Sequence, residues 1–288
     1  MPINDAALNN DASSTAFYCV HDVTGAAGTD FVDLAQRLGT TARFYGFQVP
    51  PKKMQDADFG SSIESIATYY KDVLTKFQPE GPFLLGGFCA GAIVALEIAQ
   101  QLRTGGRDVR LLVAIDAVPE NTRPELSAWH PIYLMTLARN LPGWIIHGGL
   151  KKHKDTHSLL RRFSHTLIML SKAAIGRNPR KKMSGGYAIF MDLTRFPPAQ
   201  RLFINRFYNA CFDYAAENYL GNVVVYEASV KPLFHWPQLG SRWRTIAQNS
   251  EIVRITGTHL SMMQEPDVGE LARDMLKWIS KHSSAGAR

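Results

Sequence analysis

Long apolar runs, paired cysteines and a hydrophobic leader are all missing from this chain. No segment approaches the roughly 20 apolar residues that a membrane-spanning helix needs, so no membrane partner is expected. The stretch up to Ser14 is polar and carries Asp5 and Asp11, so it is not expected to act as a secretory signal. The cysteines number only three, Cys19, Cys89 and Cys211, odd in count and far apart. That excludes a disulfide framework and a zinc site, and no metal or cofactor is expected. Free thiols persist in a reducing compartment, so a cytoplasmic location is expected. A positive surplus is lacking outside one segment. The formal net charge is +7, yet residues 117–221 hold 15 Lys and Arg against 6 Asp and Glu, leaving 17 against 19 elsewhere. A nucleic-acid binder does not usually segregate charge this way, and no nucleic-acid motif is present.

What remains is an ordinary globular composition, 45% apolar and 20% charged over 288 residues, enough for one core with an inserted subdomain. Residues 1–15 read as a disordered leader. Ala16 to Val20 predicts a strand, followed by the small polar turn His21-Asp22-Val23-Thr24-Gly25. Phe31, Leu34, Ala35 and Leu38 recur at helical spacing. Thr41 to Phe47 predicts the next strand, and Lys52 to Gly60 a loop. Ser61-x-x-Glu64 reads as a capping box opening a helix that buries Ile63, Ile66, Ala67, Tyr70, Val73, Leu74 and Phe77. Phe83-Leu84-Leu85 predicts a buried strand, Ala92 to Leu102 a helix, and Arg110 to Ile115 a strand ending at Asp116. This alternation predicts a parallel sheet with helices on both faces.

The rhythm stops over residues 117–221, where helix-like pieces (Pro131–Arg139, Ser158–Ala174, Ala199–Asn218) alternate with Pro, Gly and basic clusters. No strand pattern appears there, so the segment reads as a helical lid over the sheet. Lys151-Lys152-His153-Lys154 and Arg180-Lys181-Lys182 are its densest basic clusters. Its Trp129, Trp144, Met169, Phe203 and Tyr208 suit the packing of lid helices or the lining of an apolar pocket. The sheet pattern resumes at Asn222 to Tyr226, then a loop runs through Trp236 and Trp243. Glu251 to Thr256 is the last strand, and Val268, Leu271, Ala272, Met275, Leu276 and Ile279 mark a closing helix. The core is thus expected in residues 16–116 and 222–280, with a tail at 281–288.

The chemistry concentrates at Gly87-Phe88-Cys89-Ala90-Gly91, between a strand and a helix. A G-x-nucleophile-x-G turn at that junction is the nucleophile elbow of α/β-hydrolases, usually built on Ser. A Cys there sits at the positive end of a helix, where a thiolate is stabilised. The plain alternative is a buried Cys acting as a small hydrophobe, which is the reading for Cys19 and Cys211. A thiol nucleophile needs a base, and the base an orienting acid. Functional groups gather at the carboxyl ends of parallel strands, and Cys89, Asp116 and His259 all follow such ends. Their chain order matches the α/β-hydrolase order. Glu227, after the next strand, is the rival acid. His21 and Asp22 lie in a loop better suited to donating backbone N–H groups, so the amides of Val23 and Ala90 are expected to form an oxyanion hole.

On these residues the chain resembles the thioesterase domains of nonribosomal peptide and polyketide synthases, from Phe17 to Ile279. The matching features include Phe17 to His21, Leu85 to Gly91, Ala114-Ile115-Asp116, Tyr219 to Val223, Trp243 with Leu239-Gly240, and Gly257 to Met263. The resemblance implies an α/β-hydrolase fold and release of an acyl or peptidyl chain from the phosphopantetheine thioester of a carrier protein. The acid at the Asp116 position favours product release over editing by a stand-alone thioesterase. The departure is Cys89, since most such domains use Ser. An acyl group on Cys stays activated as a thioester, which suits closing a lactone or lactam as well as hydrolysis. The basic lid would then steer an acidic carrier protein. Two rival readings stand beside this one: a carrier-independent Cys esterase, and a carrier-binding module without catalysis.

Overall fold

Alternation of side chains along a strand lets one sheet feed two cores, and that is how this chain is built. The computed structural model describes residues 3–5, 15–26, 31–119, 193–230 and 239–283, with Met135, Arg139, Asn140 and Pro142. Its strands are β1 (Ile3–Asp5), β2 (Thr15–Val20), β3 (Ala42–Phe47), β4 (Phe83–Phe88), β5 (Val109–Ile115), β6 (Val223–Val230) and β7 (Ser250–Thr258). Its helices are α1 (Val32–Leu38), α2 (Pro51–Gln55), α3 (Ile63–Phe77), α4 (Gly91–Thr104), α5 (Pro198–Asp213), α6 (Leu239–Ile246) and α7 (Val268–Ser283). One sheet runs in the order β1-β3-β2-β4-β5-β6-β7, parallel throughout except for β1, which pairs antiparallel with β3. This is the α/β-hydrolase fold.

Phe17 and Cys19 of β2, with Leu111, Val113 and Ile115 of β5, point to the face covered by α1 and α7. Tyr18 and Val20, with Leu112 and Ala114, point to the face covered by α3, α4 and α5. Cys19 and Cys211 are fully buried in these cores, as expected. Burial pushes both thiols up. From β2 the order runs outward to β3 on one side and to β4 on the other. The crevice where a doubly wound sheet binds its ligands therefore opens between the carboxyl ends of β2 and β4.

Several expectations need correction. Ile3–Asp5 lies inside the expected disordered leader, yet it pairs with Tyr45–Phe47. The free edge of β3 supplies the partners, and three residues carry no periodicity to reveal this. The cap of α3 is Ser62, whose hydroxyl accepts from the Ser65 amide at 3.1 Å, rather than Ser61. Phe77, expected in the buried stripe, is 41% exposed because it closes the last turn at the rim. Val73 is half-buried.

Two expected loops contain helices. Pro51–Gln55 is helical, held by Arg206, whose guanidinium donates to the carbonyls of Met54 (2.9 Å) and Phe59 (3.1 Å). Leu239–Ile246 is also helical and seats Trp243 in the core.

Of the expected lid, α5 is described, and it buries Phe203, Ile204, Phe207, Ala210 and Cys211 against the core. The pieces at 131–139 (apart from Met135 and Arg139) and 158–174 lie outside the described residues. So do both basic clusters, Trp129, Trp144 and Met169. Among the described residues no helix is long and apolar enough to cross a membrane.

Candidate active site

β4 ends at Phe88, and the chain reverses into α4 within three residues. Such a turn leaves no room for side chains at its ends. A Cβ on Gly87 would collide with the backbone of Gly91 and Ala92, and one on Gly91 with the carbonyl oxygens of Val20 and His21. Cys89 at the apex adopts φ 55°, and the only other non-glycine residue with positive φ among those described is Asp116, at 46°. Strained backbone of this kind costs on the order of 1–3 kcal/mol and collects at functional sites. Here both strained residues lie at adjacent strand ends, tied by a hydrogen bond from the Cys89 amide to the Ile115 carbonyl (2.9 Å).

Asp116 is nearly inaccessible, and β6 holds it. Its amide donates to the Tyr226 carbonyl (2.7 Å), and its Oδ1 accepts from the Ala228 amide (2.9 Å). Its Oδ2 accepts from His259 Nδ1 at 2.7 Å. With Nδ1 committed to a carboxylate, Nε2 is the imidazole nitrogen left for the Cys89 side chain, which interacts with this ring. The structure thus brings Cys89, His259 and Asp116 together, with His259 hydrogen-bonded to Asp116 and interacting with Cys89. Glu227, the rival acid, is buried on β6 between the two residues that grip Asp116, while Nδ1 of His259 is taken by Asp116.

The turn that carries His259 is itself locked. Thr258 donates its amide to Ser261 Oγ (2.8 Å), Ser261 returns its amide to Thr258 Oγ1 (3.1 Å), and Ser261 Oγ donates to Asp267 (2.8 Å). The imidazole stacks on Phe88 with centroids 4.7 Å apart. Burial opposes charge on this ring. The electrostatic interaction with the Cys89 side chain and the hydrogen bond to Asp116 outweigh it, and the pKa is pushed up from 6.5 to about 10.

Across the crevice, residues 22–25 form a turn in which the Gly25 amide donates to the Asp22 carbonyl (3.3 Å). Asp22 Oδ1 accepts from the amide (2.8 Å) and hydroxyl (2.5 Å) of Thr24. Among the described residues the amides of Val23 and Ala90 have no acceptor, one at the second position of this turn and one at the N-cap of α4. A Cβ at Gly91 would meet the Val20 and His21 carbonyls, so the start of α4 lies close against the end of β2. From above, α5 brings Tyr208 and Cys211 within electrostatic reach of Cys89.

Three supports were not legible in sequence: the Phe88 stack, the Ser261–Asp267 lock, and Trp243, whose indole donates to the Ala117 carbonyl (2.7 Å) just past Asp116. Among the described residues no group of three or more His, Cys, Asp and Glu is placed to hold a metal.

Residues 15–130 match the family model of the thioesterase domain. A stretch of 116 residues is 38% identical to the non-reducing polyketide synthase rdc1 of Metacordyceps chlamydosporia, covering 38% of this chain and 5% of that protein. The chain therefore spans a small fraction of such relatives. Among solved structures, the thioesterase domain NocB from the nocardicin cluster aligns over 96% of this chain and 98% of its own, at 18% identity and a TM-score of 0.57. SrfTE, the thioesterase domain described as cyclising the lipopeptide antibiotic surfactin, aligns over 97% and 96%, at 16% identity and a TM-score of 0.59. The fold is thus that of these domains over nearly the whole chain, and the thioesterase-domain sequence match spans β2 to β5, with Cys89 and Asp116 inside it.

Proposed function

We propose that this protein is a thioesterase that takes an acyl or peptidyl chain from a carrier-protein phosphopantetheine thioester onto Cys89 and releases it as product. The observation that carries the reading is the meeting of Cys89 with the hydrogen-bonded His259–Asp116 pair at the mouth of the sheet. Cys89 Sγ, as thiolate, attacks the thioester carbonyl carbon, and the C=O electron pair moves onto oxygen. That oxyanion rests on the amides of Val23 and Ala90. Collapse breaks the bond to pantetheine sulfur, which takes the proton from His259. The imidazole then draws a proton from water or from a nucleophile within the chain. Attack on the acyl-Cys89 carbonyl follows, and the Cys89 sulfur leaves.

Cysteine at the elbow bears on the second half of this cycle. Acyl-Cys89 retains thioester activation, so a weak internal nucleophile can close a lactone or lactam where an oxoester on Ser would react more slowly. Hydrolysis and cyclisation are both served. The likeness to SrfTE supports the cyclising branch, and the likeness to polyketide synthases supports a carrier-borne substrate. No cofactor is needed beyond the pantetheine that delivers the acyl group. The three free cysteines fit a reducing, cytoplasmic setting.

The carrier protein is expected to dock on the basic surplus of residues 117–221. Turnover of one acyl group as carrier-bound thioester and as free ester tests this. The reading predicts preference for the carrier-bound form, and an apparent affinity that weakens as salt rises. Equal turnover of both forms would favour a carrier-independent esterase.

A further inference from the structure

His21 is fully buried at the end of β2, directly before the turn that offers the Val23 amide. Its Nδ1 lies 2.5 Å from the carbonyl oxygen of Asp22, and its Nε2 lies 2.6 Å from the hydroxyl of Tyr70 on α3. A carbonyl only accepts, so Nδ1 carries the hydrogen. Burial lowers the His21 pKa and keeps the ring neutral, so Nε2 accepts from the Tyr70 hydroxyl. The ring is wedged edge-on against Tyr70 and Phe207, with centroids 5.7 and 6.1 Å away. Tyr70 is itself fixed against Phe47, 4.8 Å away.

The Asp22 carbonyl and the Val23 amide belong to one planar peptide unit, in which C=O and N–H point in opposite directions when trans. Glu265–Pro266 is the only cis bond among the described residues, so this unit is trans. A donor that holds the carbonyl therefore fixes the direction of the N–H on the far side. It also polarises the amide, since hydrogen bonds in a chain strengthen one another. The Gly25 amide reaches the same oxygen at 3.3 Å, a longer contact than that of His21. Tyr70 sets which nitrogen of His21 is the donor.

We infer that the Tyr70–His21 pair is a positioning relay, setting the orientation and donor strength of the Val23 amide toward the oxyanion formed on the Cys89 substrate. This rests on the reading of Cys89 as an acyl-accepting nucleophile. Neither side chain touches the reacting atoms. Both act through the Asp22–Val23 peptide.

The test separates a reaction that forms an oxyanion from one that does not. Acylation by a hexanoyl N-acetylcysteamine thioester requires the oxyanion hole, whereas alkylation of Cys89 by iodoacetamide passes through no tetrahedral oxyanion. His21→Ala should slow acylation by ~10- to 100-fold, below or near the loss of a whole oxyanion donor, and leave alkylation within about twofold. His21→Asn, whose amide NH2 can stand where Nδ1–H stood, should recover most of the acylation rate. Tyr70→Phe keeps the ring packing and should slow acylation by a smaller factor, again without changing alkylation.

Parallel loss of both reactions in His21→Ala and Tyr70→Phe would mean a merely structural role and would overturn the inference. Unchanged acylation in both variants would overturn it too. Failure of the unchanged protein to be acylated while it is still alkylated would instead remove the reading of Cys89 on which the relay stands.

Discussion

At the scale of single residues, the chemistry turns on which partner keeps His259 charged. With its pKa pushed up to about 10, the imidazole holds its proton across neutral pH and releases it only above that range. A His259→Ala variant loses this cation, so alkylation of Cys89 by iodoacetamide at pH 7 should fall by about tenfold or more, a loss of ~1.4 kcal/mol or more in favourable interaction. The sign with pH follows from the same shift. The advantage of the unchanged protein over the variant should be largest where an ordinary thiol is still protonated, below about pH 8, and shrink as pH rises toward 10, where His259 itself gives up its proton. An advantage constant to higher pH would mean that the imidazolium is not the group responsible. Cys89→Ser probes the other partner. If thioester activation serves cyclisation, serine should lower the ratio of cyclised to hydrolysed product, and an unchanged ratio measured on one substrate would contradict that use of sulfur.

At the scale of elements, the elbow depends on closeness between α4 and the end of β2. A methyl at position 91 would enter the space of the Val20 and His21 carbonyls, which are backbone and cannot swing aside. Gly91→Ala should therefore destabilise the fold by ~1–3 kcal/mol, the usual cost of forced backbone shifts, read as a lower midpoint in urea. Because the same shift moves the Val23 turn, acylation should fall further than stability does. An unchanged midpoint would show that the junction has slack which these contacts deny.

Elements of this kind were largely legible beforehand. β2, β4, α4 and α7 announce themselves through apolar periodicity and flanking glycines. α2 and α6 do not, since a five-residue helix has no period to show and α6 lies in a stretch that reads as irregular. The support of α2 comes from Arg206, about 150 positions away. The same reason hid Tyr70. Its place in the buried stripe of α3 was readable, but the partner of its hydroxyl depends on how α3 packs against β2.

At the scale of the whole molecule, the sheet order explains why three residues 27 and 143 positions apart meet. β4, β5 and β6 are neighbours, so the ends that carry Cys89 and Asp116 adjoin and β6 braces the carboxylate. β7 follows at the edge and returns His259 over them. Sequence alone named these positions from strand ends and chain order. It favoured Asp116 over Glu227 from the strand end and the chain order, with no view of the contacts each acid makes. Those contacts are the hydrogen bonds of Asp116 to Tyr226, Ala228 and His259.

The central claim is that the sulfur at the β4–α4 turn accepts an acyl group. Intact-mass measurement after brief incubation with a set of acyl thioesters tests it most directly. The account predicts a mass increase of one acyl group, mapped by peptide fragmentation to Cys89 and absent from Cys89→Ala. Product release without any adduct on Cys89, and undiminished in that variant, would contradict it.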